Sequence, residues 1–392
     1  LGNTKDGQNI FLTMVISIFD AAHFYRQPDF EHLPKKPMLI HNRYAPIFSP
    51  GPLIAAIMLA GLFSAPLVWN YRQRQQPPAS ANGLIPPVTD SLPEKTASAG
   101  LDTVRYDRLL LQLVHNRPVA GWPVKAPYPL PGALLPFNRV VAYYGNFYSQ
   151  GMGILGELPE QQMLQRLKGE ATRWHQADTS IPVIPAIHYI AVTAQDEPGK
   201  DRKYRLRMPA SEMEKARTLA KQVQGIVFLD VQVGLSTLEE ELPCLEPFLK
   251  QPDVHLGIDP EYSMKGGEVP CSVIGSYDAT DINYASAYLA QVVRKYKLPP
   301  KILVVHRFTR EMVTNYKNIV TRPEVQIVMN MDGFGFPAKK IDSYKGAIVR
   351  EPVQFTGFKL FYRYDLSKGY SSIMQPKDIL ALYPAPIYIQ YQ

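Results

Sequence analysis

GIVFLDVQVG, residues 225–234, alternates in character: Phe228, Asp230 and Gln232 share one face of an extended chain, and Val227, Leu229 and Val231 share the other. The alternation returns in DVHLGIDPEYSM (253–264), where His255, Gly257, Asp259 and Glu261 oppose Val254, Leu256 and Ile258. It returns again in EVQIVMNMDGFG (324–335), with Gln326, Val328, Asn330 and Asp332 against Val325, Ile327 and Met329. In PKILVVHRFT (300–309) His306 falls on a face with Ile302 and Val304, and in the first such run Tyr144 falls with Asn146. Eight β-like runs follow one another from Arg139 to Gln392, separated by helix-like stretches such as PEQQMLQRLKGEATRWHQAD and TDINYASAYLAQVVRKYK. A β–α unit repeated eight times over about 250 residues is the pattern of an α/β (β/α)8 TIM barrel, expected here over 137–392. Uniformly apolar faces belong against the outer helices, which turns the polar faces toward the barrel axis. Chemistry in this fold collects where the strands end.

A chain of 392 residues exceeds one barrel, so the remainder needs its own reading. Residues 53–69, LIAAIMLAGLFSAPLVW, are uncharged and apolar, at the short limit for a membrane span. The 70–100 stretch that follows is rich in Pro, Ala and Ser with no periodic apolar face, and reads as a flexible linker. The pair is expected to be a signal-anchor or signal segment with its tether, placing the barrel extracytoplasmic, membrane-anchored or secreted. Residues 1–52 remain unassigned, and Met38 reads as a better start than Leu1. The formal charge of +7 comes from dispersed Lys and Arg, without a basic-aromatic module, so no nucleic-acid partner is expected.

Between tether and barrel, Asp102 is a candidate N-cap, and Leu109, Leu110, Leu113 and Val114 recur at helical spacing, which predicts a helix over 102–116. Because no helix-like stretch follows the last run, APIYIQYQ, this N-terminal helix is expected to fill the place of the eighth barrel helix; a truncated C-terminus is the alternative. Cys244 and Cys271 fall in neighbouring units and are expected to form a disulfide if the barrel is exported; two ordinary buried thiols are the alternative.

Aimed inward, Asp230, Asp259, Glu261 and Asp332 converge at one mouth. Buried carboxylates repel one another and lose hydration, so such a group calls for a functional reading unless protons, metals or cations compensate. A pair of carboxyls ringed by aromatics is the layout of glycoside hydrolysis, in which one protonated acid serves the leaving oxygen. Glu261 is expected to be that acid, with Asp259 tuning it and Asp332 or Asp230 as the second carboxyl. Tyr144, Asn146, His188, Gln232, Tyr262, His306, Asn330 and Tyr362 are expected to bind substrate, with carbohydrate the partner and no cofactor or metal required. His306 and Tyr144 are the expected hydrogen-bond partners that orient the acids. A metal-dependent hydrolase on His188, Asp230, Asp259, His306 and Asp332 is the second class, and a non-catalytic glycan-binding barrel the third.

Asp259-Pro260-Glu261 resembles the Asp-x-Glu signature of chitinase-like and lysozyme-like barrel hydrolases, in which the Glu is the acid. The segments AYYGNFYSQGMGILGE (142–157), FLDVQVG (228–234), GIDPEYSMKGGEV (257–269), VVHRFT (304–309) and MDGFG (331–335) are together similar to a family of exported bacterial barrels of unassigned activity. The resemblance implies a barrel acting on, or binding, an envelope or extracellular polysaccharide. The chain lacks the Gly-rich run with a further Asp that precedes the chitinase motif, so the resemblance does not carry over a substrate-assisted mechanism.

Overall fold

A computed structural model describes residues 100–366 and 369–392. Eight strands run in chain order: β1 Arg139–Gly145, β2 Val183–Ala194, β3 Ile226–Val231, β4 Val254–Ile258, β5 Lys301–Arg307, β6 Val325–Met331, β7 Phe355–Leu360 and β8 Tyr388–Tyr391. Each pairs in parallel with its sequence neighbours, and β8 pairs in parallel with β1, so the sheet closes on itself. This is the barrel that the eight apolar runs predict. A short antiparallel strand, Arg205–Arg207, extends the far end of β2.

The strand faces divide as their alternation dictates. Val141, Tyr143, Val227, Leu229, Leu256, Ile258, Leu303, Val305, Ile327 and Met329 point outward into one apolar layer. The helices meet them there: α2 Glu160–Ala177, α3 Ala210–Gln222, α4 Leu238–Leu249 and α5 Ala279–Tyr296. In α2 the buried residues Met163, Leu164, Leu167 and Trp174 keep the spacing of one helical face. Trp174 Nε1 reaches across to donate to the Tyr391 hydroxyl at 2.9 Å, so α2 also covers β8.

The inward residues form a second core: Val140, Ala142, Ala186, Phe228, Ile302, Val304, Val328 and Tyr388. The N-terminal helix, here α1 (Thr103–Leu113), belongs to this core through Tyr106, Leu109 and Leu113. Its bonds fall on residues just ahead of strands: Gln112 pairs with Ser180 before β2, and Ala385 N donates to Leu113 O before β8. It therefore plugs the N-terminal mouth of the barrel. The expected side position of an eighth helix is not the one it takes, because its apolar face matches the open floor of the inner core.

Two further expectations are corrected. Cys244 and Cys271 are both free and exposed; the Cys244 sulfur turns onto its own helix, 3.5 Å from Glu240 O. The strand parity that set Asp259 and Glu261 side by side stops at Ile258. Pro260 opens a 3-10 turn over Pro260–Tyr262, and the Asp259 carboxyl caps it by accepting from Glu261 N at 3.1 Å. Residues 53–69 and the 70–100 linker, apart from Gly100, lie outside the described residues. Among the described residues no helix is long and apolar enough to cross a membrane.

Candidate active site

Above the inner apolar core the side chains turn polar, strand by strand, toward the C-terminal mouth. Tyr144, His188, Asp230, His306, Asn330 and Gln390 are all buried there. Asp230 is the hub: its Oδ2 accepts from the Tyr144 hydroxyl at 2.9 Å, and its Oδ1 from His188 Nε2 at 3.1 Å. Gly257, its register partner on β4, makes this possible. A Cβ there would stand 2.2 Å from Asp230 Oδ1 and 2.4 Å from His188 Nε2, closer than any side chain tolerates.

His306 joins two carboxylates. Its Nδ1 lies 3.0 Å from Asp332 Oδ2 in hydrogen-bond geometry. Its Nε2 lies 3.2 Å from Asp230 Oδ1, an ion-pair contact whose geometry falls short of a hydrogen bond, so that nitrogen is buried without a hydrogen-bond partner. Burial disfavours the imidazolium, but the Asp230 charge and the Asp332 contact outweigh it and raise the ring to about 10. Burial likewise raises Asp230, and here the His306 charge and the His188 bond win, holding the carboxyl well below its usual range. His188 is pushed down to about 4, chiefly by burial. Its Nδ1 meets the Tyr388 hydroxyl at 2.6 Å and Gln390 Nε2 at 3.1 Å.

Asp259 and Glu261 are perturbed in the opposite sense. Burial is the largest cause for each, and neighbouring carboxylates add to it, raising Asp259 to about 7 and Glu261 to about 8. Asp259 is buried, while Glu261 and Tyr262 keep part of their surface open at the mouth. The Glu261 charge in turn raises the Tyr262 phenol. Tyr144 and His306 make the expected bonds to two of the acids, Asp230 and Asp332, and not to Asp259 or Glu261.

The other predicted binding residues divide. Gln232 donates to the Tyr144 hydroxyl at 3.3 Å and accepts from Ala194 N, which fixes it beside Asp230. Asn330 reaches Gln390 at 3.3 Å and leaves its own Oδ1 buried and unbonded. Asn146 is spent on structure, donating to Ile190 O and accepting from Tyr148 N. Tyr362 stands in the outer layer, stacked on Tyr391 and hydrogen-bonded to Tyr143 and Glu170, away from the inward set. Lys359 was missed. It is inward on β7, buried, with its Nζ 3.8 Å from the Tyr144 ring centroid. Burial lowers its pKa against the pull of Asp332, Asp259, Asp230 and Glu261. Parity would have found it, since Phe355, Gly357 and Lys359 alternate with Phe358 and Leu360.

His188, Asp230 and His306 also bring one ligand atom each within 4.8 Å of the others, the one such grouping among the described residues.

Fold and mouth together define an α/β barrel with a carboxyl-, imidazole- and lysine-lined site at its C-terminal end. No protein-family profile and no curated protein matches the chain. Among solved structures, Burkholderia cenocepacia dihydropteroate synthase complexed with 7,8-dihydropteroate aligns at a TM-score of 0.30 and 10% identity, over 67% of this chain and 87% of that one.

Proposed function

We propose that the barrel mouth hydrolyses glycosidic bonds in an envelope or extracellular polysaccharide, with Glu261 as general acid and Asp332 as the second carboxyl. One observation carries the reading: Asp259 and Glu261 crowd the mouth without an ion pair, so burial and neighbouring carboxylates raise both, beside Asp230, which His306 and His188 shift the opposite way. Environments that push like groups apart in this way separate an acid from its anionic partner. Asp230 has its oxygens occupied by Tyr144 and His188, whereas Asp332 Oδ1 is buried at the mouth with no hydrogen-bond partner in the protein. Tyr148, Phe334, Tyr364 and Tyr370 are exposed on the loops that leave β1, β6 and β7, where aromatic faces suit sugar rings. Membrane attachment through residues 53–69 is the companion proposal.

A panel of α- and β-linked polysaccharides, read by new reducing ends, tests the reading. Glu261→Gln is expected to lower turnover by at least about 10²–10⁴-fold while retaining fold and glycan binding. Wild-type turnover in that variant removes Glu261 as the acid. A chain that binds glycan and cleaves none points to the non-catalytic barrel.

A further inference from the structure

We propose that His188, Asp230 and His306 bind one first-row divalent metal ion, of which Zn²⁺ is the type, on the floor of the barrel mouth. Two imidazole nitrogens and a carboxylate oxygen are a donor set suited to Zn²⁺, Co²⁺ or Mn²⁺ and poor for Mg²⁺ or Ca²⁺, which prefer oxygen. The contact distances fit. Ligands on one ion at bonds of about 2.0–2.2 Å lie about 3–3.5 Å from each other. His306 Nε2 is not aimed at Asp230 Oδ1, while His188 Nε2, which donates to that oxygen here, would have to give up that proton to bind. The two Nε2 atoms stand 3.1 and 3.2 Å from Asp230 Oδ1, and His306 Nε2 is fully buried with no hydrogen bond.

Two further features suit a metal site. Both rings are fixed from behind at Nδ1, His306 by Asp332 and His188 by the Tyr388 hydroxyl, as second-shell partners fix metal-bound histidines. With the ion on Nε2, His188 Nδ1 carries the proton and donates it to the Tyr388 hydroxyl, and Gln390, whose Nε2 stands 3.1 Å from the same Nδ1, must turn its amide oxygen toward it. Gly257 keeps a side chain out of the space against Asp230 Oδ1 and His188 Nε2. Binding exchanges the His306 Nε2 proton for the ion and leaves the Nδ1 proton on the ring, donated to Asp332 Oδ2. Three protein ligands leave a coordination position for water or a substrate oxygen. The site stands on these residues whether or not a glycan is the substrate.

Chelator-treated protein titrated with ZnCl₂ in a calorimeter is expected to bind one ion per chain, with MgCl₂ giving no comparable isotherm. CoCl₂ is expected to give visible d–d absorption without a thiolate charge-transfer band, which excludes exposed Cys244 and Cys271 as ligands. His188→Ala and His306→Gln should each lower affinity by about 100-fold or more, and Asp332→Asn by about 10–100-fold, with the metal-free melting temperature of Asp332→Asn little changed. Glu261→Gln should bind the ion as the wild type does, so failure of the glycan assay and failure of this one are separable. Absence of saturable one-to-one binding in the wild type, a thiolate band in the cobalt spectrum, or undiminished affinity in a folded His306→Gln variant overturns the site.

Discussion

Glu261 and Glu241 are both carboxylates crowded by protein, and their surroundings give them opposite characters. Glu241 is fully buried, and Arg207, Arg205 and Ser236 bind it so that their hydrogen bonds overcome burial and lower its pKa. Asp365 is similarly consumed by Lys340, Gly335 N and Phe361 N. These are structural charges, paired because an unpaired buried charge is costly. Among the described residues no cation forms an ion pair with Glu261, so the proton stays. In the unfolded chain this group releases its proton near 4.5, and in the folded protein only near 8. The native state thus holds the proton more tightly. Its contribution to stability is complete below the unfolded value and is lost as pH rises toward 8. Metal-free Glu261→Gln cannot ionise, so its melting temperature should nearly equal that of the wild type near pH 4 and exceed it by about 2–6 °C near pH 8.5. Scanning fluorimetry at both pH values checks this; the same gap at both, or none at pH 8.5, shows that Glu261 ionises normally. Strand parity made Asp230, His306 and Asn330 legible in the sequence, because one register fixes every inward position. It did not reveal which oxygen of which carboxylate is already bonded, since that depends on side chains brought together from several strands.

The elements that parity could not place are those that depart from the strand. Asp259-Pro260-Glu261 reads as a strand end with a rigid proline, but proline at the first position of a turn is equally at home. Asp259 supplies the cap that decides for the turn. The helix over 102–116 was visible from its cap and spacing, and Asp102 does accept from Arg105 N at 2.9 Å. Its docking place was not visible, because an amphipathic face tells how much it must bury and not against what. The observed place has an energetic consequence. Leu109 is 4% exposed and packs with the inner core, so Leu109→Ala should destabilise by about 2–4 kcal/mol, as a core truncation does. Val104, 79% exposed on the same helix, is a control whose Ala variant should change stability by less than about 0.5 kcal/mol. Urea unfolding of the three proteins measures the difference. A loss under about 1 kcal/mol for Leu109→Ala would mean that α1 is a loosely attached flank rather than the floor of the barrel.

At the scale of the whole molecule, closure is what gathers the site. The barrel has no free long edge, because β8 bonds β7 on one side and β1 on the other over Tyr388–Tyr391. That short strand is also where the outer layer, the inner core and the mouth meet. Ile389 and Tyr391 pack outward beneath α2, Tyr388 packs inward, and Gln390 carries the network from Asn330 to His188. Cooperative stability and site geometry therefore depend on the same few residues. Removing residues 388–392 leaves two unpaired edges, uncovers the floor beside Phe228, and strips His188 of both Nδ1 partners. The shortened chain should lose its cooperative thermal transition and bind an apolar dye at temperatures where the wild type does not. Tyr388→Phe, which keeps the packing and deletes one hydroxyl, should by contrast melt cooperatively within a few degrees of the wild type, by about 1–2 kcal/mol of lost hydrogen bonding. Calorimetry on the two variants separates the contributions. A cooperative transition in the shortened chain would show that seven strands suffice to hold the fold, and that β8 serves the mouth alone.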